Sequence, residues 1–493
     1  MGTERRRGLS KSKYVSGTRC QNKLWWEVHE PEAEELKFSK GTMSILRQGG
    51  QVGELAREQF PGGVLIDLPY NAVKERVAAT QAAIANGVPA IYEASFTLDG
   101  VYAAVDVLER DGDGFNLIEV KASTKVKDEH IPDAAVQTHL VTGCGLKVKR
   151  SAIMHLNREY RHPGQGELFV QTDVTAAVLD AIEQVPEKIE ELREMLAGDF
   201  PDMPIGEQCA SIKNCPFKRR CWPDDRDHVL KLSGKGVRKA LELMAEGIHR
   251  IQDIPTDFKL SVVNKWQKLA LEQGDLAVEP GLKKALASLE SPVGYLDFET
   301  VGRAIPVWDG LKPWGAVPVQ FSYHEEQADG PPTHEAWLAD GPDDPRPMIA
   351  RKLVEATRNA GHIVAYTGFE SRQIRHLAAA VPELANELEE IDGRLFDLHK
   401  VVKNNVYHPD FDGSFSIKDV LPVLVPELGY DDLEIDDGQD ASAEIARLML
   451  EGDSMSVEEQ TQLRENLLKY CKRDTEAMVG LVGRLRELAD HAV

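Results

Sequence analysis

The chain has 493 residues, 42% hydrophobic and 28% charged, which excludes wholesale disorder and low-complexity fibres and leads one to expect two or three domains. Its 81 acidic side chains against 58 basic ones leave a net charge of −23, an argument against coating nucleic acid by bulk charge that still allows local basic patches. The opening MGTERRRGLSKSKYVSG is basic without an apolar stretch, and no run approaches the ~18 apolar residues of a membrane span, so a cytosolic (cytoplasmic) protein with no membrane partner is expected.

Helical spacing marks residues 52–60 and 71–86, the second with Val73, Val77 and Ile84 on one side. Residues 101–123 read VYAAVDVLERDGDGFNLIEVKAS, two apolar-rich strands about Asp111-Gly112-Asp113-Gly114, which predicts a β-hairpin. Val178, Ile182, Val185, Ile189, Leu192 and Met195 predict one helix kinked at Pro186. Residues 230–274 predict a helical, locally basic connector carrying Lys231, Lys235, Arg238, Lys239, Arg250, Lys259, Lys265 and Lys268. From Pro292 the strands VGYLDFE, QFSYHE and HIVAYT alternate with helical stretches and predict a separate α/β domain. The expected divisions are 1–229, 230–285 and 286–493.

Side chains alternate across a strand, so Glu119 and Lys121 share a face that Asp106 on the paired strand can reach. Two carboxylates and an ammonium can hold Mg²⁺ or Mn²⁺ and position an attacking water, although a hairpin with a solvated charged face has the same composition. The pattern resembles the PD-(D/E)xK nuclease core, in particular its RecB-like branch. That resemblance implies catalytic roles for Asp106, Glu119 and Lys121, with the two acids on the metal. It also matches a Gly-x3-His-x3-Glu helix to Gly50, Glu54 and Glu58, with Glu54 where a metal-binding histidine is usual, and a downstream catalytic glutamine to Gln137.

Three of the six cysteines, Cys209, Cys215 and Cys221, form a C-x5-C-x5-C run, which favours metal ligation over core packing. With His228 they would make a zinc site; with Cys20 they would offer four thiolates to an iron–sulfur cluster. One cysteine before the nuclease core and three after it resembles the iron–sulfur RecB-like nucleases, which implies a 4Fe-4S cluster clasping the two ends of that domain. Cys144 and Cys471 read as structural thiols.

In the second half Asp297 and Glu299 share a strand face, Glu370 stands at a strand-to-helix junction, and Tyr470 and Asp474 are four apart on a helix. This order resembles the DEDD exonucleases of the DnaQ-like, RNase H fold group. The resemblance implies that Asp297, Glu299, Glu370 and Asp474 hold two metal ions and that Tyr470 orients the water. Asp397 reads as structural or substrate-contacting. HPDFDGSFSIKDVLPVLVPELGY and the opening LSKSKYVSGTRC resemble a bacterial family of unassigned function that fuses these two nuclease types, a likeness spanning nearly the whole chain.

The connector's Leu-Ser-Gly-Lys-Gly resembles a helix-hairpin-helix element, whose glycine turns offer N–H groups to phosphates; a solubilising basic linker reads equally well. The expectation is a metal-dependent nuclease acting on DNA, in repair or anti-phage defence. RNA processing and a DNA-binding scaffold with inactive centres are the alternatives. No Walker-type loop is present, so any helicase would be a separate partner.

Overall fold

The computed structural model describes residues 8–212, 215–234, 236–327 and 329–491. They form a mixed α/β protein in two compact units. The first takes the chain up to Phe38, Met43–Cys221 and Arg303–Gly315; the second takes Ser39–Thr42, Trp222–Gly302 and the chain from Ala316. Among the described residues no helix is long and apolar enough to cross a membrane.

The first unit has strands β1 (Leu9–Ser10), β2 (Val64–Leu65), β3 (Ala90–Leu98), β4 (Val101–Asp111), β5 (Gly114–Lys121), β6 (Val148–Leu156) and β7 (Phe169–Asp173). They lie in the order β2-β3-β4-β5-β6-β7, with β1 alongside β4. Its main helices are α1 (Lys11–Arg19), α2 (Gln21–His29), α3 (Lys40–Arg57), α4 (Val73–Ala85), α5 (His130–Gly143) and α6 (Val185–Ala197). The expected hairpin is β4–β5, closed where Asp111 pairs with Gly114 and Gly112 takes φ +55°. β5 and β6 run parallel, so their connection must cross over, and α5 makes that crossing.

Phe115 and Leu117 face one core while Ile118 faces the other, the strand alternation that puts Glu119 and Lys121 together. In β3 and β4 the alternation reverses midway. Ala94, Phe96, Ala103 and Val105 enter one core, Tyr92 and Val107 the other, and the reversal falls at Glu93, with φ +58°, and Asp106. The backbone N–H of Val120 is thereby taken by the Asp106 side chain, at 2.7 Å.

The helix expected over 52–60 is the end of the longer α3, and that over 71–86 is α4. In place of one kinked helix over 178–195 there are two, Thr175–Ile182 and α6. Pro186 sits in the first turn of α6, where a missing N–H costs nothing, so the proline starts a helix here.

In the second unit β9 (Val293–Gly302) is central, once β8 (Ala277–Val278) is set aside. With β10 (Ala316–Glu325), β11 (Thr333–Leu338), β12 (His362–Ala365) and β13 (Leu395–Asp397) it forms a sheet in the order β11-β10-β9-β12-β13. The β9–β10–β11 pairs are antiparallel and the β9–β12–β13 pairs parallel. β14 (Val406–Tyr407) pairs with β8. The helices are α7 (Gly236–Ala245), α8 (Val262–Gln273), α9 (Arg346–Ala356), α10 (Phe369–Ala380), α11 (Ile417–Leu424), α12 (Gly438–Glu451) and the long α13 (Val457–His491). Leu296 and Phe298 pack with Phe321, Ile349 and Ile374, so alternation sends Asp297 and Glu299 to the opposite face.

The expected connector folds as part of this unit around Val229, Leu232, Leu243, Ile251 and Ile254. Much of its basic charge is met locally: Lys231 pairs with Asp412, Lys239 with Glu242, Arg250 with Asp227 and Lys268 with Glu272. Lys235, in the helix-hairpin-helix-like stretch, lies outside the described residues.

Candidate metal centres and cysteine cluster

Strand and helix geometry bring Asp106, Glu119, Lys121 and Gln137 together in the first unit and add Lys11 and Asp133. Glu119 is buried and accepts four hydrogen bonds from three donors: Lys11 Nζ at 2.8 and 3.0 Å, Lys121 Nζ at 2.7 Å and Gln137 Nε2 at 2.7 Å. Lys121 also donates to Asp133 Oδ2 at 2.6 Å, and Gln137 to Asp133 Oδ1 at 3.1 Å. Asp133 and Gln137 are one helical turn apart on α5, so they face the sheet together.

Burial would raise the Glu119 carboxyl, but Lys11 and Lys121 hold it well below the ordinary carboxylate range. Burial and the Glu119 charge push Asp106 up to about 7, and Asp133 shifts upward for the same reasons. One acid thus keeps its charge while its neighbours are driven toward neutrality, the signature of like charges sharing a partly buried site. The Oε1 of Gln137 is buried with no hydrogen-bond partner. Glu54 and Glu58 are exposed, and among the described contacts neither joins this cluster.

In the second unit, one ligating atom each from Asp297, Glu299 and Asp474 lies within 4.8 Å of the others. Burial and mutual repulsion push Asp297 and Glu299 far above the ordinary carboxylate range. Burial lifts Asp474 to about 6, restrained by Tyr430, whose hydroxyl donates to Asp474 Oδ1 at 2.5 Å. Glu370, in the first turn of α10, is lifted by burial to about 7; its charge reaches Asp297 and Glu299, and its Oε2 has no hydrogen-bond partner. Crowded buried acids with an orphaned oxygen suit a divalent cation, which would supply the missing charge.

Tyr470 is buried, and burial with Asp474 pushes its hydroxyl far up, so it stays protonated at neutral pH. Lys418 Nζ stands 5.3 Å from the ring centres of both Tyr430 and Tyr470 and lowers the pKa of Glu299 and Asp474. Asp397 caps the helix Leu398–Asn405 by accepting from Lys400 N at 3.0 Å.

Cys20 is buried between the end of α1 and the start of α2. Cys20, Cys209 and Cys215 all bear on Cys221, which burial and their charges push up to about 11. Cys215 likewise feels Cys20 and Cys209. Asn22 and Met203 exchange two hydrogen bonds, at 2.9 and 2.8 Å, tying α2 to the chain ahead of Cys209. Trp26 stacks on Phe200 and leans on Phe217 beside this group. His228 Nδ1 accepts from Leu230 N at 3.2 Å. The four thiols of Cys20, Cys209, Cys215 and Cys221 are thus neighbours within the first unit.

Sequence reasoning missed Lys11, Asp133, Tyr430 and Lys418, and read Cys471 as structural. Cys471 is buried, but its thiol faces Asp297 Oδ2 at 3.5 Å, inside the second acid centre. Asp133 had a signal, its one-turn spacing from Gln137. Lys11 had none, because its partners are more than ninety residues away in the chain.

Residues 294–416 match a family model described as a domain of unknown function, DUF2779. The match takes in Asp297, Glu299 and Glu370 and ends before Lys418, Tyr430, Tyr470 and Asp474. No curated protein matches the chain.

Proposed function

We propose that the chain is a metal-dependent nuclease that hydrolyses phosphodiester bonds of DNA at two centres. The observation that carries this reading is the Asp297–Glu299–Asp474 triad, half-buried at Asp297 and buried at the other two, with ligating atoms within 4.8 Å and Glu370 adding its charge. The sheet order and strand directions around β9 support an RNase H-like second unit, and the β4–β5 hairpin followed by α5 supports a PD-(D/E)xK first unit.

Mg²⁺ or Mn²⁺ bound by these acids would stabilise the charge that develops on the attacking and leaving oxygens. Asp297, Glu299, Glu370 and Asp474 would hold it in the second unit, where protonated Tyr470 can donate a hydrogen bond to a water or phosphate oxygen. Asp106 and Glu119 would hold it in the first, where Gln137 fixes Glu119 and Lys121 orients water beside it. Cys20, Cys209, Cys215 and Cys221 would hold a 4Fe-4S cluster whose role is to fasten α1 and α2 to the segment from Cys209 to Cys221.

End-labelled single- and double-stranded DNA and RNA, incubated with Mg²⁺ or Mn²⁺, test the reading. Cleavage of DNA that Lys121→Ala and Asp297→Ala each reduce, and the double variant abolishes, is the expected result. Cleavage confined to RNA would reassign the substrate, and no metal-dependent cleavage at all would overturn the nuclease reading in favour of a binding protein.

A further inference from the structure

Lys11 stands where the acids of the first centre converge. Its Nζ is 2.8 and 3.0 Å from the two oxygens of Glu119, 3.9 Å from Asp133 Oδ1 and 4.0 Å from Asp106 Oδ1. One ammonium is shared by three acids, bonded to Glu119 and within ion-pair reach of the other two. Lys121 has a different place: it bonds Glu119 and Asp133 at 2.7 and 2.6 Å, whereas among the described ion pairs Asp106 is reached by Lys11. Both oxygens of Glu119 are bonded to Lys11, while Lys121 shares Oε1 and Gln137 shares Oε2, so an ion that comes between Glu119 and Asp106 has to loosen Lys11, the one donor among the described contacts that reaches both.

Lys11 is suited to yield. It is the first residue of α1, just after the capping Ser10. Its flexible four-carbon stem lets the ammonium swing without moving the helix. A phosphate group drawn to the same acids and their ion offers the anionic oxygens that a released ammonium would bond.

We propose that Lys11 is a second working lysine of the first centre: a resident cation that divalent metal displaces from Glu119 onto a non-bridging oxygen of the scissile phosphate. Lys11 makes and breaks no covalent bond and keeps its proton throughout. The proposal rests on the nuclease reading of this centre, which its test separates out.

The test uses the full chain carrying Asp297→Asn and Asp474→Asn, so that the second acid triad is disabled, and compares Lys11 with Lys11→Met and Lys11→Arg. Mn²⁺ affinity is read by electron paramagnetic resonance, and kcat and KM on end-labelled DNA at saturating Mn²⁺. Lys11→Met is expected to bind Mn²⁺ about tenfold tighter, because the charge-assisted bonds of Lys11 no longer have to be broken. Its kcat is expected to fall about a hundredfold, the usual cost of one lost charge-stabilising donor. Lys11→Arg should recover part of kcat and bind Mn²⁺ more weakly than the parent.

Mn²⁺ affinity that is unchanged or weaker in Lys11→Met would overturn the displacement, and an unchanged kcat would overturn the phosphate contact. Thermal melts report folding; if Lys11→Met fails to fold, Lys11→Arg decides, since a guanidinium that grips the acids should weaken Mn²⁺ binding and unchanged binding would overturn the idea. A parent chain that cuts nothing, with Mn²⁺ still tightened by Lys11→Met, would sink the nuclease reading of the first centre and support Lys11 as the ion's competitor.

Discussion

Glu370 shows how much a single carboxylate can demand of its surroundings. It is 4% exposed, one of its oxygens is unpaired, and burial lifts it from 4.5 to about 7. Between those values the unfolded chain has lost this proton while the native chain keeps it, so the group's contribution to stability falls as pH rises through that window. In EDTA, Glu370→Gln is therefore expected to match the parent near pH 4.5 and to exceed it at pH 7.5 by up to about 3 kcal/mol, measured by denaturant melts. Identical pH profiles would show that Glu370 does not titrate there. Tyr430→Phe should act in the opposite sense on Asp474: without the 2.5 Å hydrogen bond the carboxylate is less stabilised. The Mn²⁺ affinity of the second centre at pH 6 is then expected to drop several-fold, read by the same resonance measurement. At this scale the sequence disclosed those residues whose partners sit at helix or strand spacing, such as Glu119 with Lys121 and Tyr470 with Asp474. Tyr430 and Lys11 reach their sites through tertiary folding alone, and no local period announces them.

Among the elements, α1 carries two duties on nine residues. Lys11 at its start lies in the acid centre, and Cys20 caps its end, with its backbone N–H bonded to Ser16 O at 2.9 Å. Between them Gly17 lets the helix approach its neighbours: a Cβ there would stand 2.7 Å from both Leu192 and Leu24. Gly17→Val is expected to cost about 1–3 kcal/mol through overpacking, seen as a lower denaturation midpoint, and a neutral result would mean that α1 has room to shift. The cysteines give a second test at this scale. An anaerobic preparation should be brown and contain iron and sulfide, and Cys209→Ser should lose both; a colourless protein carrying zinc would refute the cluster. The β4–β5 hairpin was legible because its turn and its alternation agree. Pro186 misled because one proline can either bend a helix or begin one, and the choice depends on how α6 packs through Val185, Ile189 and Leu192.

At the level of the whole molecule, the strand-then-helix pattern disclosed a mixed α/β protein, but the way the chain divides is set by contacts that no local pattern records. The connection Arg303–Gly315, between β9 and β10, belongs to the first unit. There Ala304 packs with Val52 and Leu156, and Trp314 Nε1 donates to Ala122 O at 2.6 Å, next to Lys121. A fragment ending at residue 229 would uncover Val52 and Leu156, both fully buried in the intact chain. It is expected to bind a hydrophobic dye and melt without a cooperative transition; a sharp melt would show that the connection is dispensable. The same thread has a consequence for inheritance. Because the first unit is completed by residues encoded inside the second, no single break in the gene separates two whole units. Recombination can hand on the pair together, but it cannot lend either one intact to another protein.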